Sequence, residues 1–501
     1  MEIDQTDSGS KKGHLTRPLV LVTLISAFGS TFQYGYNFWV ISYPSQFIQG
    51  FYNETYREWN RINTDRKLVL FVWGLTTSFF PTGGLIGALL SGPLVDKCGR
   101  KGTLLLNNIL PIISGVLMGC SKALQVYEFI TFARLVIGIS AGISSSVVPM
   151  YLAELAPLHL RGAITMLSHL FFAIGVLLVQ IFGLHKILGT HEGWPIMLSL
   201  TAIPAVFQLL LLPSFPESPR YLLIQRRDEE KARQALKKLR GQDDVHDEIE
   251  ELHQEDVAEK AEKQMNVCKL LHSQELRWAV ISVVVLILGQ QFSGAYVVYF
   301  YMKNIYLTTG INEENVSYMT VAVTMVLVLV TSMLIYVVDF WGRKFLLLSG
   351  FAICSISCLF LTMSLELQRT ISWMSYISTA FVIIFLLGYT IGPAPIPSLV
   401  IAEIFLQSSR SSAFVVGQSV HWFCSFLMEM GFLHIQIYLW TYTFLIFSPI
   451  CLATLIYIFK VIPETKNNTF LVNRRLVAIH ANSLNMDPGQ ANEQKLRGHF
   501  V

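Results

Sequence analysis

Two adjacent amides, Gln290 and Gln291, stand at the end of an apolar run, Ala279 to Leu288, where hydrocarbon would be expected. An amide at that depth is costly unless a partner helix or a wet cavity receives it. Helical spacing puts Gly294 one turn after Gln290 and Ala295 one turn after Gln291, small residues that admit another backbone or a ligand. The aromatic tail Tyr299, Phe300, Tyr301 suits the outer end of a cavity or a membrane interface. The pair is either glue between helices or the wall of a polar site inside a membrane protein.

Other apolar runs carry similar polar stripes. Gln33 and Asn37 are four apart, with Ser26, Ser30 and Tyr34 on a nearby part of the same face. His169, Ala173, Val176 and Gln180 follow helical spacing, as do Gln418, His421, Ser425 and Glu429, with Trp422 adjacent. Amides and hydroxyls can exchange hydrogen bonds with solute hydroxyls, and an indole offers a face to C–H groups. Each residue alone fits interhelical packing as well; several stripes converging on one bundle favour a solute pathway. Glu429 is an acid inside an apolar run, functional by default in a membrane unless it lies at the outer water boundary.

These residues need elements to hold them. The chain has 501 residues, 52% hydrophobic and only 14% charged, whereas a soluble domain carries about 25% charge. It reads as an all-α membrane protein embedded in a lipid bilayer. A net charge of +3 argues for no nucleic-acid partner, and seven cysteines, mostly in apolar runs, form no extracellular disulfide pattern. The polar N-terminus has no cleaved-signal pattern, so the first apolar run serves as an uncleaved anchor. At roughly 20 residues per span, twelve are expected: near 18–40, 68–91, 102–121, 127–148, 163–185 and 194–213, then near 277–301, 316–338, 345–366, 373–399, 413–435 and 441–461. The corresponding domains are a tail at 1–17, a six-helix bundle at 18–213, a charged helical linker at 214–276, a second six-helix bundle at 277–461 and a tail at 462–501. Within the linker, Asp228 to Arg240 runs from acids to bases, as a helix dipole favours, and Asp247 to Lys263 continues a charged helical pattern. The linker reads equally as a solvated spacer and as a partner site.

Lys and Arg follow spans 2, 4, 8 and 10 (Lys97, Arg100, Lys101; Arg161; Arg343, Lys344; Arg410) and occupy both tails (Lys11, Lys12; Arg474, Arg475). The positive-inside rule then puts both termini in the cytoplasm. The loop after span 1 is the exception, with Arg57, Arg61, Arg66 and Lys67, and it carries an N-glycosylation sequon at Asn53.

Three motifs recur in order. Asp96, Gly99, Arg100 and Lys101 match Asp339, Gly342, Arg343 and Lys344 at an offset of 339 − 96 = 243; Glu154 and Arg161 match Glu403 and Arg410 at 403 − 154 = 249; Pro216-Glu217-Ser218 matches Pro463-Glu464-Thr465 at 464 − 217 = 247. Two homologous halves follow. The Asp, Glu and Arg residues are expected to clasp helix ends in partly exposed, individually weak pairs, a latch able to open and close.

These motifs, with Pro216-Glu-Ser-Pro-Arg220, Gly289-Gln-Gln-Phe-Ser-Gly294, Phe32-Gln-Tyr-Gly-Tyr-Asn37, Val148-Pro-Met-Tyr-Leu152, Gly392-Pro-Ala-Pro-Ile-Pro397, Glu403 to Arg410 and His421-Trp422, resemble the facilitative hexose transporters of the major facilitator superfamily over residues 18–470, most of all the fructose-transporting branch. The resemblance implies two pseudo-symmetric bundles around a central site, alternating access, no cofactor or metal, and a monomer in the plasma membrane. It implies solute contacts at Tyr34, His169, Gln290, Gln291, Tyr296, Tyr389, His421 and Trp422, closure of the outer side by Tyr299 and Phe300, and an inner gate where Gly392, Pro393, Pro395 and Pro397 disturb span 10. Four positions depart from the family: Tyr296 for Asn, His169 for Gln, Tyr389 for His and Leu327 for Asn. Uniport of a hexose, fructose over glucose, is the function expected. The rivals are a urate or polyol carrier, a proton-coupled sugar symporter (relatives place Asp where Asn37 stands), and a non-transporting sensor. No nucleophile–base or metal-ligand motif supports an enzyme.

Overall fold

Backbone polar groups find no partners in hydrocarbon, so long apolar runs close their hydrogen bonds within helices. The computed structural model describes residues 15–60, 66–260, 266–274, 276–473 and 475–476, with side chains except at 60, 258–260, 313, 432–438 and 440, and its long elements are all helical. Lys11, Lys12, Arg61 and Arg474, most of both tails and residues 261–263 of the charged pattern expected from Asp247 to Lys263 lie outside the described residues.

Ten stretches there are long and apolar enough to cross a membrane: Arg17–Trp39, Arg66–Leu124, Glu128–Leu155, Leu158–Phe182, Trp194–Ser214, Arg277–Leu307, Glu314–Trp341, Arg343–Leu367, Met374–Ile404 and Thr443–Val461. The second is 59 residues long and folds as two spans about Gly99, and Gln407–Leu439 supplies span 11, so the count is 10 + 1 + 1 = 12. Six spans precede the linker helices Glu229–Arg240, His246–Lys260 and Val267–His272, and six follow. Large apolar side chains such as Leu210, Phe340 and Phe459 point outward from the spans, as a lipid-facing surface requires.

Three local expectations are corrected. The joint between spans 2 and 3 is one residue, Gly99 at φ +80°, and Gly342 repeats it between spans 8 and 9 at φ +89°. A Cβ at either glycine would run into the carboxylate of Glu217 or Glu464, so both backbone conformation and space require glycine. Span 7 is broken: Arg277–Gln291 and Ala295–Leu307 are separate helices joined through Gly294 at φ +98°. The one-turn spacing expected from Gln290 to Gly294 therefore does not hold. Third, the stretch after span 1 holds a helix, Ser45–Asn60, that buries Ile48, Phe51 and Tyr52. Phe51 packs 5.5 Å from the Trp194 ring, and Asn53 faces outward.

Span 10 stops at Ile391 and resumes at Ile396, as three prolines in six residues dictate. In the linker, Asp228 caps Glu229–Arg240 by accepting from Lys231 N at 3.0 Å, and Gly241 ends it at φ +63°. Ala232 and Leu236 bury one face against Leu223, Ile224 and Ile249. The linker is thus a packed element rather than a solvated spacer.

Candidate functional site

A cavity of about 230 Å³ lies between the two halves, walled by spans 1, 4 and 5 on one side and by spans 7, 8, 10 and 11 on the other. That is below the ~300–1,000 Å³ of drug-sized pockets and suits one small solute. Of the eight expected contact residues, Tyr34, His169, Gln290, Gln291, Tyr296, Tyr389 and His421 line it.

Its polar centre is a chain of side chains drawn from three spans. Gln291 Nε2 lies 2.6 Å from His421 Nδ1, and Ser425 Oγ donates to Gln291 Oε1 at 3.0 Å. An amide NH₂ can only donate, so Nδ1 accepts and the proton of neutral His421 sits on Nε2, which faces the Tyr34 hydroxyl at 3.4 Å. The first half (Tyr34) and the second (Gln291, His421, Ser425) are thereby joined across the cavity. Gln290 serves differently, its Nε2 donating at 2.8 Å to the carbonyl of Ala394, inside the proline-broken stretch of span 10. Both amides are on the wall, but Gln291 joins its polar chain while Gln290 ties span 7 to span 10.

Other placements differ from expectation. Trp422 is fully buried outside the cavity lining, its ring 5.5 Å from both Tyr34 and Phe80 and its Nε1 donating to Ser145 Oγ at 3.4 Å. It supports Tyr34 from behind rather than offering its face to a solute. Gln33 and Asn37 turn away to span 6, Gln33 donating to the Thr201 carbonyl at 3.0 Å and Asn37 to the Thr201 hydroxyl. They are packing glue. Tyr299 lines the cavity with its ring 5.6 Å from Trp39, whereas Phe300 is 39% exposed on the outside of the bundle, because successive helical residues point about 100° apart. Leu327 and Glu429 line the cavity as well.

On the linker side, the expected latch is buried rather than partly exposed. Arg100, Arg161, Arg343 and Arg410 are at most 1% accessible. Arg100 pairs with Glu154 at 2.9 Å and Arg343 with Glu403 at 2.8 Å, the same contact in each half. Arg410 reaches Glu154 across the halves at 3.1 Å. Among the described residues Asp96 forms no ion pair with an arginine, whereas Asp339 does. Each meets the start of a helix in the opposite half: Asp96 accepts from Ser411 Oγ at 3.1 Å and Asp339 from Ala163 N at 2.9 Å, though Asp339 also pairs with Arg343 at 2.9 Å. Arg161 stacks its guanidinium 3.8 Å over Phe470, which also receives Arg410 at 4.2 Å and Arg220 at 4.7 Å.

Sequence reasoning saw Glu217 and Glu464 as repeated residues without a role. Glu217 accepts from the backbone of Arg100 (3.1 Å) and Lys101 (3.0 Å), and Glu464 from Arg343 (2.9 Å) and Lys344 (3.1 Å), so each carboxylate caps the span that follows the corner glycine. Burial pushes the Glu217 carboxyl up, against the lowering effect of those amides. Glu255 of the linker, which pairs with Arg220 and approaches Arg410 at 3.9 Å, and Phe470 were missed; one charge or one ring in a polar segment carries no pattern.

The chain matches the family model "Sugar (and other) transporter" over residues 22–475. It is 53% identical over 459 residues to mouse "Solute carrier family 2, facilitated glucose transporter member 5", covering 92% of each chain, and 48% identical to human member 7 of that family, covering 94% of this chain and 92% of the relative. Among solved structures it resembles the proton:xylose symporter XylE bound to 6-bromo-6-deoxy-D-glucose, at a TM-score of 0.81 and 22% identity, over 92% of this chain and 100% of that one. Two halves with matching corners, one cavity between them and these relatives lead to one conclusion: the chain is a multi-pass membrane protein of the sugar transporter family.

Proposed function

We propose that the protein carries a hexose across the membrane by facilitated transport, fructose in preference to glucose, through alternating exposure of the central cavity. The observation that carries this is the hydrogen-bonded set Tyr34–His421–Gln291–Ser425, which spans both halves at the cavity wall. Hydroxyls of a sugar could exchange into it, and its strength would then depend on how the halves sit. Relatives named as facilitated glucose transporters support the hexose class, and the Glu403–Arg410 motif after span 10 and His421-Trp422 in span 11 support fructose. Tyr296 and Tyr389 line the same cavity, bulky phenols that narrow the choice of hexose.

In this reading the linker side is cytoplasmic, both termini with it, in the plasma membrane, and the protein works as a monomer with its domains divided near 213 and 277. The broken stretch Gly392, Pro393, Pro395 and Pro397 gates the inner side and Tyr299 the outer. The buried ion pairs hold the inner side shut, and Asn53, exposed on its helix, receives a glycan. Purified protein in liposomes, given labelled fructose, glucose and urate, tests it: saturable fructose entry and counterflow without a proton gradient are expected. Entry only with a proton gradient, or entry of urate alone, sinks it.

A further inference from the structure

Among the described residues, Glu429 is the one acid on the cavity wall, and no lysine or arginine stands there with it. Its Oε2 is closed off from solvent and has no hydrogen-bond partner. Arg134 of span 4 is the nearby cation that favours its charged form. That guanidinium is committed elsewhere: Nη1 donates to the Asn37 carbonyl at 2.7 Å, and Cζ lies 4.3 Å over the Phe80 ring. Tyr296 is the cavity phenol in electrostatic reach of Glu429. The other titratable groups on the wall are Tyr34, His169, Tyr299, Tyr389 and His421.

Glu429 as a whole is only half-buried on the wall, so a solute meets its exposed part rather than the sealed Oε2, and charge-assisted hydrogen bonds to such a group are the strong ones. We propose that Glu429 sets the charge preference of the cavity, taking hydroxyl or ammonium donors from the solute and turning away sugars that bear a carboxylate. The inference rests on the hexose reading and adds to it a selectivity residue that lies outside the Tyr34–His421–Gln291–Ser425 set. Arg134 is not on the cavity wall, and its guanidinium is held by the Asn37 carbonyl and the Phe80 ring rather than by the solute.

The test uses three ketoses with one skeleton: D-fructose, 1-amino-1-deoxy-D-fructose and 2-keto-D-gluconate, carrying at C1 a hydroxyl, an ammonium and a carboxylate. Binding to the full-length protein in liposomes is read from tryptophan fluorescence, Trp39 being on the wall, and from competition with labelled fructose. The wild type is expected to bind the amine at least about tenfold more tightly than the acid, a difference of one charge-assisted contact. Glu429→Gln collapses the spread, while Glu429→Asp keeps it. A purely structural role for Glu429 would weaken all three ligands alike. Equal binding of amine and acid by the wild type, or a spread that survives in Glu429→Gln, overturns the inference. The wild-type comparison needs no variant. Should fructose neither bind nor cross while amine and acid still separate in a Glu429-dependent way, the hexose reading alone falls. If none of the three binds, both fall.

Discussion

Gln291 and Asn37 are the same kind of residue at the same kind of depth, and only their partners distinguish them. Gln291 meets His421 and Ser425 at the cavity, while Asn37 meets Thr201 in the seam between spans 1 and 6. Removing either strands polar groups at a cost of about 1–3 kcal/mol, but the cost should appear in different measurements. Gln291→Ala is expected to weaken hexose affinity by roughly ten- to a hundredfold, read as a rise in the half-saturating concentration of uptake. Asn37→Ala should instead lower the melting temperature of the detergent-solubilised protein with little change in that concentration. Weakened affinity in the second variant and not in the first would reverse the assignment. Trp422 belongs with Asn37 in this respect: its ring is buried behind Tyr34, so Trp422→Phe should act through stability and the placing of Tyr34.

At the scale of the element, breaks matter more than helices. The gap at Phe292–Gly294 lets Gln290 and Gln291 end one helix while Tyr296 and Tyr299 begin the next, all at the cavity. Gln290 then ties that end to Ala394 in the gap of span 10. Gln290→Ala is expected to loosen this joint, seen as faster amide exchange across 392–396 before any loss of overall helix content. Unchanged exchange there would remove the joint from the gating scheme. The corner glycines are stricter still. Gly99→Ala and Gly342→Ala each combine positive φ with a collision against a capping carboxylate. Each should destabilise the protein by roughly 1–3 kcal/mol, measured by thermal unfolding, whereas Gly102→Ala, a helical position with more room, should cost far less.

For the whole molecule the asymmetry between the two sides is decisive. The linker side is held by buried arginine–glutamate pairs, two cross-half helix-end contacts and Phe470 among three arginines. The far side has contacts such as Lys186–Glu314 at 3.8 Å, exposed at both ends. Removing one partner of a buried pair costs about 3–5 kcal/mol, and an exposed pair about 0–1 kcal/mol. Arg410→Ala or Phe470→Ala should therefore favour opening on the linker side, detected as faster hydrogen exchange at the starts of spans 5 and 11. Glu314→Gln should leave that exchange as it is. Equal effects from the exposed and the buried variants would mean that the buried ring is scaffold rather than latch.

Span count, the duplicated halves and the polar stripes of the cavity wall were legible in the residues, while Tyr296, Tyr389 and Leu327 were reached only through the family resemblance. Length and apolarity decide whether a segment crosses a membrane, and three motifs at near-equal offsets leave little choice but two related halves. Even the broken span 10 could be read, because proline removes a donor wherever it stands. What only the tertiary structure decided was direction. Which face of span 1 looks inward, whether Trp422 or Phe300 reaches the cavity, and whether Asp96 meets an arginine or a helix end all depend on the rotation of one helix against others. That rotation is set jointly by many contacts far apart in the chain, such as Arg410 with Glu154 and Asn37 with Thr201, so no local pattern encodes it.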